Sequence, residues 1–376
     1  MNLALAEFLT PQAQPNFTDG FGERRQAIGA RNERLELLRL SSTLSAIPTM
    51  EAALRDRAAR LSEFRHESFA RLRAVDVDTS AGALLVYSDH VSGVRLSSLL
   101  AAAEKRSLSL DLNAVRGLVR QLVRAAAAWH EALPDIAHGA IGPERIIITP
   151  NGTLVIADCV LGSALDQLRY SRDRYWTELR VALPPAPAVH AFDARTDVAQ
   201  IGLVALALVL GRRLTSDVYP GGMSAALQGA WLRTGVSGAL EPLPLGFRDW
   251  LRRAMQLDPR DGFVTARDAA AALDDALGKE DEALERDALH VHDSKQAPDP
   301  ARHRLVPDEP ARRSAGDARN HRCLLGAFPP SERRGIRRSG VPNGSARSSE
   351  RAAARVPDFG DHRALLRDDG NSTIGT

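Results

Sequence analysis

The stretch Ala137–Leu165, AHGAIGPERIIITPNGTLVIADCVLGSAL, constrains the fold of this chain more than any other. Arg145–Thr149 and Thr153–Ala157 are short runs rich in Ile, Val, Leu and Thr, with Pro150-Asn151-Gly152 between them. An Asn-Gly pair flanked by apolar runs predicts a tight hairpin, because both residues tolerate the left-handed backbone that such a turn demands. A polar loop from His138 to Glu144 leads into the first strand, and Asp158 stands just past the second. Two strand ends and a loop therefore converge on one small site.

A chain of 376 residues has room for two or three domains and a sizeable core. The two cysteines, Cys159 and Cys323, make neither a disulfide framework nor a metal-ligand spacing, which suits a reducing compartment. The start, MNLALAEFL, lacks the basic residues and cleavage site of a signal peptide. The longest apolar stretch, Ala199–Gly211, falls short of the roughly 20 residues of a membrane span. These features predict a cytoplasmic protein without a membrane span.

Along the chain, residues 1–33 carry Gly20, Gly22 and Gly29 among polar residues and read as a turn or flexible leader. Pro48-Thr49-Met50-Glu51 resembles a helix start, with Thr49 as the capping hydroxyl. Leu54, Ala58, Leu61 and Phe64 then recur at helical spacing. Leu84–Ser88 reads as a strand, and Arg95–Lys105 and Leu112–Glu131 as helices, the second with Leu118, Leu122, Ala126 and Trp129 on one face. Leu165–Leu183 is amphipathic, and a Pro-rich connector begins at Leu183. Val198–Leu210 is apolar nearly all round, which marks a helix at the centre of a helical domain. Phe247–Leu257 and Thr265–Leu277 complete the helices.

From about residue 279 the composition shifts to Arg, Pro, Gly, Ser and Ala, and the tail 279–376 is expected to be disordered. Residues 301–376 hold fifteen arginines, no lysine and nine acids. The abrupt change also fits a slipped reading frame in a GC-rich gene, a hypothesis that the same frame in independently sequenced clones would refute.

Between about residues 31 and 278 the chain resembles the eukaryotic-type protein kinases of bacteria. His138–Arg145 (HGAIGPER) is similar to the HRDxKPxN catalytic loop, and Asp158-Cys159-Val160 stands where DFG would be. Arg195–Gly202 (RTDVAQIG) is similar to the SDVYSLG start of the buried αF helix, and Leu257-Asp258-Pro259 to the DP before the last helix. The resemblance implies an α+β, bilobal fold. A leader or N-lobe edge over 1–30 would precede a reduced β-rich N-lobe over 31–91, with an αC-like helix at 50–65. A helical C-lobe over 92–278 would follow.

Kinase-type phosphoryl transfer needs a lysine on the phosphates, an Asp to orient the acceptor hydroxyl, and an Asn and an Asp for magnesium. Aligned on the resemblance, the catalytic Asp becomes Ala140, the loop Lys becomes Gly142, and the Asn becomes Arg145, a fixed cation that repels a metal. No lysine precedes Lys105, Arg39 is the nearest substitute for the N-lobe lysine, and the αC glutamate falls on Arg57. The activating ion pair would thus become two like charges. The glutamate and arginine that anchor the end of the activation segment are both missing, with Gly262 near the arginine position.

What remains is Asp158, a candidate for metal or nucleotide that otherwise reads as a solvated strand-end carboxylate. The structural positions also remain: His138 and Asp197, which would tie the loop to αF, and Leu61 and Cys159 on the apolar spine. The expectation is therefore a pseudokinase: a regulatory or scaffolding module for protein partners, without enzymatic activity and without ATP, magnesium or another cofactor. One alternative is an unorthodox kinase or nucleotide transferase with Arg39 and Arg145 on the phosphates and Asp158 on the metal. Another is binding of nucleic acid or acidic surfaces through the Arg-rich tail, which its nine acids and its lack of aromatics beyond Phe328 and Phe359 oppose.

Overall fold

Strands form where Leu, Val and Ile crowd both sides of an extended chain, and Leu35–Leu40 and Ala83–Tyr87 are such runs. A computed structural model describes residues 10–11, 16–184, 192–235 and 238–279, all within one compact unit. In chain order the first half contains β1 (Thr10–Pro11), β2 (Phe17–Asp19), β3 (Gly22–Ile28), β4 (Arg34–Leu40), α1 (Ser42–Ser45), α2 (Met50–Arg60), β5 (Leu72–Asp78) and β6 (Ala83–Asp89). Its antiparallel sheet has the order β1-β3-β4-β6-β5, with β2 hairpinned onto β3. β3 and β4 pair from Gly22↔Leu40 to Ile28↔Arg34, and β4 and β6 from Leu35↔Asp89 to Arg39↔Leu85.

Alternation along these strands gives the sheet two apolar faces. Leu38, Leu40, Val75, Leu84 and Val86 pack on Met50 and Leu54 of α2, whereas Ala27, Leu35, Leu37, Leu85 and Tyr87 form a small cluster on the other side.

The second half contains β7 (Val94–Arg95), α3 (Leu96–Lys105), α4 (Leu112–Ala132), β8 (Ile146–Ile148), β9 (Leu154–Ile156), α5 (Arg172–Leu179), α6 (Ala194–Leu210), α7 (Met223–Gly229), β10 (Leu232–Thr234), β11 (Leu240–Pro242) and α8 (Leu245–Ala254). A last helix, α9, covers 266–279. Asp193 caps α6 by accepting from Thr196 N, and the helix is buried along nearly its whole length, in keeping with its all-round apolar sequence. It packs on α4, whose Leu118, Leu122, Ala126 and Trp129 are all buried, and on α8. The Asn-Gly hairpin forms as expected, with Ile146↔Ile156, Ile147↔Val155 and Ile148↔Leu154 paired.

Two local expectations are corrected. Residues 17–28, read as a turn or leader, are a β-hairpin of the sheet turning at Gly20-Phe21. Thr49 does not cap α2: its backbone is helical (φ −91°, ψ −8°), so its hydroxyl makes no cap bond. The amphipathic stretch Leu165–Leu183 is divided in two: a 3-10 turn over Gly162–Leu168 ends at Arg169 in a left-handed conformation before α5 begins. Most of the Pro-rich connector and the tail beyond 279 lie outside the described residues.

Candidate functional site

The polar loop before β8 is hung from α6. Asp197, wholly buried, accepts from the backbone N–H of His138 (2.8 Å, Oδ2) and of Gly139 (2.6 Å, Oδ1), and His130 Nε2 lies 2.8 Å from Oδ2. One turn further, Gln200 Oε1 accepts from Ile141 N at 2.7 Å, while its Nε2 donates to the carbonyls of Gly139 and Ala182 at 2.9 Å each. Residues three apart on a helix share a face, so Asp197 and Gln200 act as one clamp. Gln200 was not singled out in the sequence, although its i+3 spacing from Asp197 was the available signal.

The buried His138 ring accepts from Ala140 N at Nδ1 (3.3 Å) and donates from Nε2 to Ala157 O (3.2 Å). Burial pushes its pKa down to about 4, so it is a neutral core imidazole joining the loop to the end of β9. Its ring also packs against Phe69 and Trp129. Leu61 and Cys159 lie in the same buried core, and burial lifts the Cys159 thiol to about 12.

Ala140 is fully buried and offers no polar side chain. Arg145, also fully buried, folds back under the loop. Its Nε donates to Ala140 O, its Nη1 to Leu179 O (3.4 Å) and its Nη2 to Arg180 O (2.9 Å), and its guanidinium covers the Phe21 ring at 5.0 Å. A Cβ at Gly142 would stand 2.5 Å from Arg145 Nη2, so the glycine leaves the space that the guanidinium fills. Arg145 is thus a buried fastener between the loop and α5.

Asp158 is the centre of an ion-pair network that the sequence did not reveal. Its backbone is left-handed (φ 63°), a conformation that Asp tolerates better than most residues. The side chain is buried rather than solvated, and its Oδ2 accepts from Arg24 Nη2 at 2.5 Å. Arg24, wholly buried, also lies 2.8 Å from Asp19 Oδ1 and 4.0 Å from Glu36. Arg95 Nη2 spans both oxygens of Glu36 (2.6 and 2.7 Å), and its Nη1 donates to Glu144 O. The Phe17 ring lies under both Arg24 and Arg95. Burial alone would raise the Asp158 pKa, but Arg24, Arg95 and Arg145 outweigh it and hold the carboxyl below its ordinary range. Burial likewise opposes the charge of Arg24, and the carboxylates of Asp158, Asp19 and Glu36 outweigh it.

The two arginines assigned to the N-lobe chemistry are elsewhere. Arg39 pairs opposite Glu23 and Leu85 on the outer side of the sheet, the side of Leu35, Leu37 and Tyr87. It therefore cannot grip anything in the cleft. Arg24 can, because it pairs opposite Leu38 on the inner side. Arg57 does not face Arg39 as a like charge. It is buried and donates to Cys159 O (Nε, 3.0 Å), Ala137 O (Nη2, 2.5 Å) and His138 O (Nη2, 3.3 Å), binding α2 to both ends of the site. Burial lowers its pKa to about 10, which leaves it charged at neutral pH.

As arranged, these residues do not fit magnesium nucleotide. The candidate metal carboxylate is occupied by Arg24, Arg145 lies 3.8 Å from Asp19 Oδ2, and the Phe21 side chain is wholly buried. The Gly20 turn closes on α5 so tightly that a Cβ there would fall 1.6 Å from Glu178 O.

No protein-family model matches the chain. The serine/threonine-protein kinases PknE of Mycobacterium tuberculosis and of Mycobacterium bovis are each 25% identical to it over 294 residues, 77% of this chain and 50% of theirs. The chain thus spans about half the length of these curated relatives. Two crystal structures of the M. tuberculosis PknI kinase domain match with TM-scores of 0.51 and 0.52 at 18% identity, covering 74% and 73% of this chain and 100% of each of theirs. The fold is that of a bacterial, eukaryotic-type protein kinase: bilobal, α+β, with a β-rich N-lobe and a helical C-lobe.

Two expectations are corrected by the same findings. The relatives are named as kinases, which points to a kinase rather than to a protein without enzymatic activity. Kinase chemistry uses ATP and Mg²⁺, against the expectation that no cofactor is involved. Among the described residues no helix is long and apolar enough to cross a membrane.

Proposed function

We propose that this chain is a kinase-type signalling domain that engages protein partners and whose nucleotide cleft is gated by the Arg24–Asp158 ion pair. The observation that carries this reading is the 2.5 Å contact itself, which joins the glycine hairpin of the N-lobe to Asp158, two residues past β9. In this reading the described arrangement is the closed state. ATP and magnesium belong to the open state, in which Asp158 and Glu36 are released from their arginines. Serine/threonine phosphoryl transfer, the activity in the relatives' names, then depends on opening, and a partner that lifts the Gly20 turn from α5 acts as a regulator.

The test is Gly20→Ala, which pushes the turn away from Glu178 without altering any charge. Ligand bound only by the native state stabilises it by about 2.7 kcal/mol at a hundredfold excess over Kd. For a domain of this size that is a rise in Tm of roughly 5–10 °C. Gly20→Ala is expected to show a rise of this order with Mg-ATP, and the parent chain a much smaller one. Equal responses in the two proteins, including none in either, would overturn the gating reading.

A further inference from the structure

A cavity of about 220 Å³ lies between the loop at 141–144, α5 and α6, and meets the ion-pair network only at Glu144. Three polar atoms of residues lining it are buried without a hydrogen-bond partner: Nε1 of Trp176, Nη1 of Arg180 and Oε2 of Glu144. Buried polar groups in native proteins are nearly always paired, so three orphans around one cavity imply something that pairs them. Trp176 is only 7% exposed, and the side-chain amide in the lining, that of Gln200, is already committed to the loop.

The charges point the same way. Arg213 faces Glu104 at 3.8 Å, and Glu144 faces Arg145 at 4.0 Å. Arg180 has no ion-pair partner among the described residues, and its guanidinium rests on the Trp176 ring at 5.2 Å. The lining also has an apolar part that includes Leu203, Val204 and Leu214.

A cationic donor, a neutral donor, one acceptor and an aliphatic wall form a specific set. We propose that this cavity binds the carboxylate of a residue with a small branched apolar side chain and an adjacent amide N–H. The carboxylate takes the protons of Arg180 Nη1 and Trp176 Nε1, the amide N–H meets Glu144 Oε2, and the side chain lies on Leu203, Val204 and Leu214. Two sources share this chemistry: the carboxyl-terminal residue of a protein chain and a free N-acylated amino acid.

The experiment is calorimetric titration of the full chain with three probes. These are acetyl-Ala-Ala-Leu with a free carboxylate, the same peptide amidated, and N-acetyl-leucine. Saturable binding of the free acids is expected near Kd of about 1 mM, with the amide weaker by about tenfold or more. Arg180→Met should weaken the acids by a similar factor. Thr215→Trp, at an exposed position on the lining, should block all binding without touching the orphan atoms. A peptide that binds about tenfold tighter than N-acetyl-leucine identifies a protein terminus as the source, and equal affinities identify the free acid. Equal binding of acid and amide, parental affinity in both variants, or no saturable heat from either acid up to about 20 mM would overturn the proposal.

Discussion

Replacing Arg24 by Met removes a guanidinium that is wholly buried while keeping most of the side chain's apolar bulk. Its carboxylate partners stand at 2.5 Å (Asp158), 2.8 Å (Asp19) and 4.0 Å (Glu36). Breaking a buried ion pair from one side costs about 3–5 kcal/mol, because the remaining charge is left in a poor solvent. Arg95 stays on Glu36 and Arg145 stays 3.8 Å from Asp19, so part of the stranded charge remains compensated. The expected loss is therefore at the low end, about 3 kcal/mol. With a urea slope of about 3 kcal/mol per molar, the midpoint falls by about 1 M, readable by circular dichroism of the full chain. Adding Asp158→Asn removes the stranded carboxylate and is expected to restore about 1–2 kcal/mol. Arg267→Met, which breaks an exposed pair with Glu131 at 3.3 Å, serves as the control at about 0.5 kcal/mol. If Arg24→Met cost no more than this control, the network would not be buried in solution and the gate built on it would fail.

Other outcomes follow from the same contacts. His138 is held neutral with a pKa of about 4, whereas an unfolded histidine titrates near 6.5. The unfolded chain therefore binds more protons between these values, and stability is present above about pH 6.5 and lost as pH falls toward 4, by up to about 3 kcal/mol. Other groups titrate in the same range, so the informative quantity is the parent minus His138→Gln difference in urea midpoint across that window. A flat difference would show that His138 is not buried as described. Asp197→Ala strands the N–H groups of His138 and Gly139 and is expected to cost about 3 kcal/mol or more, with loss of hydrogen-exchange protection confined first to the loop at 138–141. Arg57→Met leaves the carbonyls of Cys159 and Ala137 unpaired and should destabilise by about 2–3 kcal/mol, against about zero for Arg60→Met on the exposed side of the same helix.

Local chemistry determined a good part of this protein before any fold was known. The Asn151-Gly152 turn, the all-round apolar run of α6 and the one-sided face of α4 are short-range patterns, and each formed where its residues placed it. Ala140, Gly142 and Arg145 depart visibly from the residues that the kinase resemblance implies, because an absent carboxylate or amide can be read without coordinates.

The tertiary structure decided which charges meet. A side chain's face on a strand depends on pairing register, and shifting by one residue exchanges the faces. Arg39 and Arg24 could each have served as the cleft cation by composition, and only the β3–β4 register, with Arg24 opposite Leu38, turns Arg24 inward and Arg39 outward. Arg24 and Asp158 are separated by 134 residues, so no local pattern links them. Asp158 therefore looked like a solvated carboxylate at a strand end. Once the sheet closes over β9 the same residue is buried, and a carboxylate out of water takes the nearest cation, which here belongs to the other lobe.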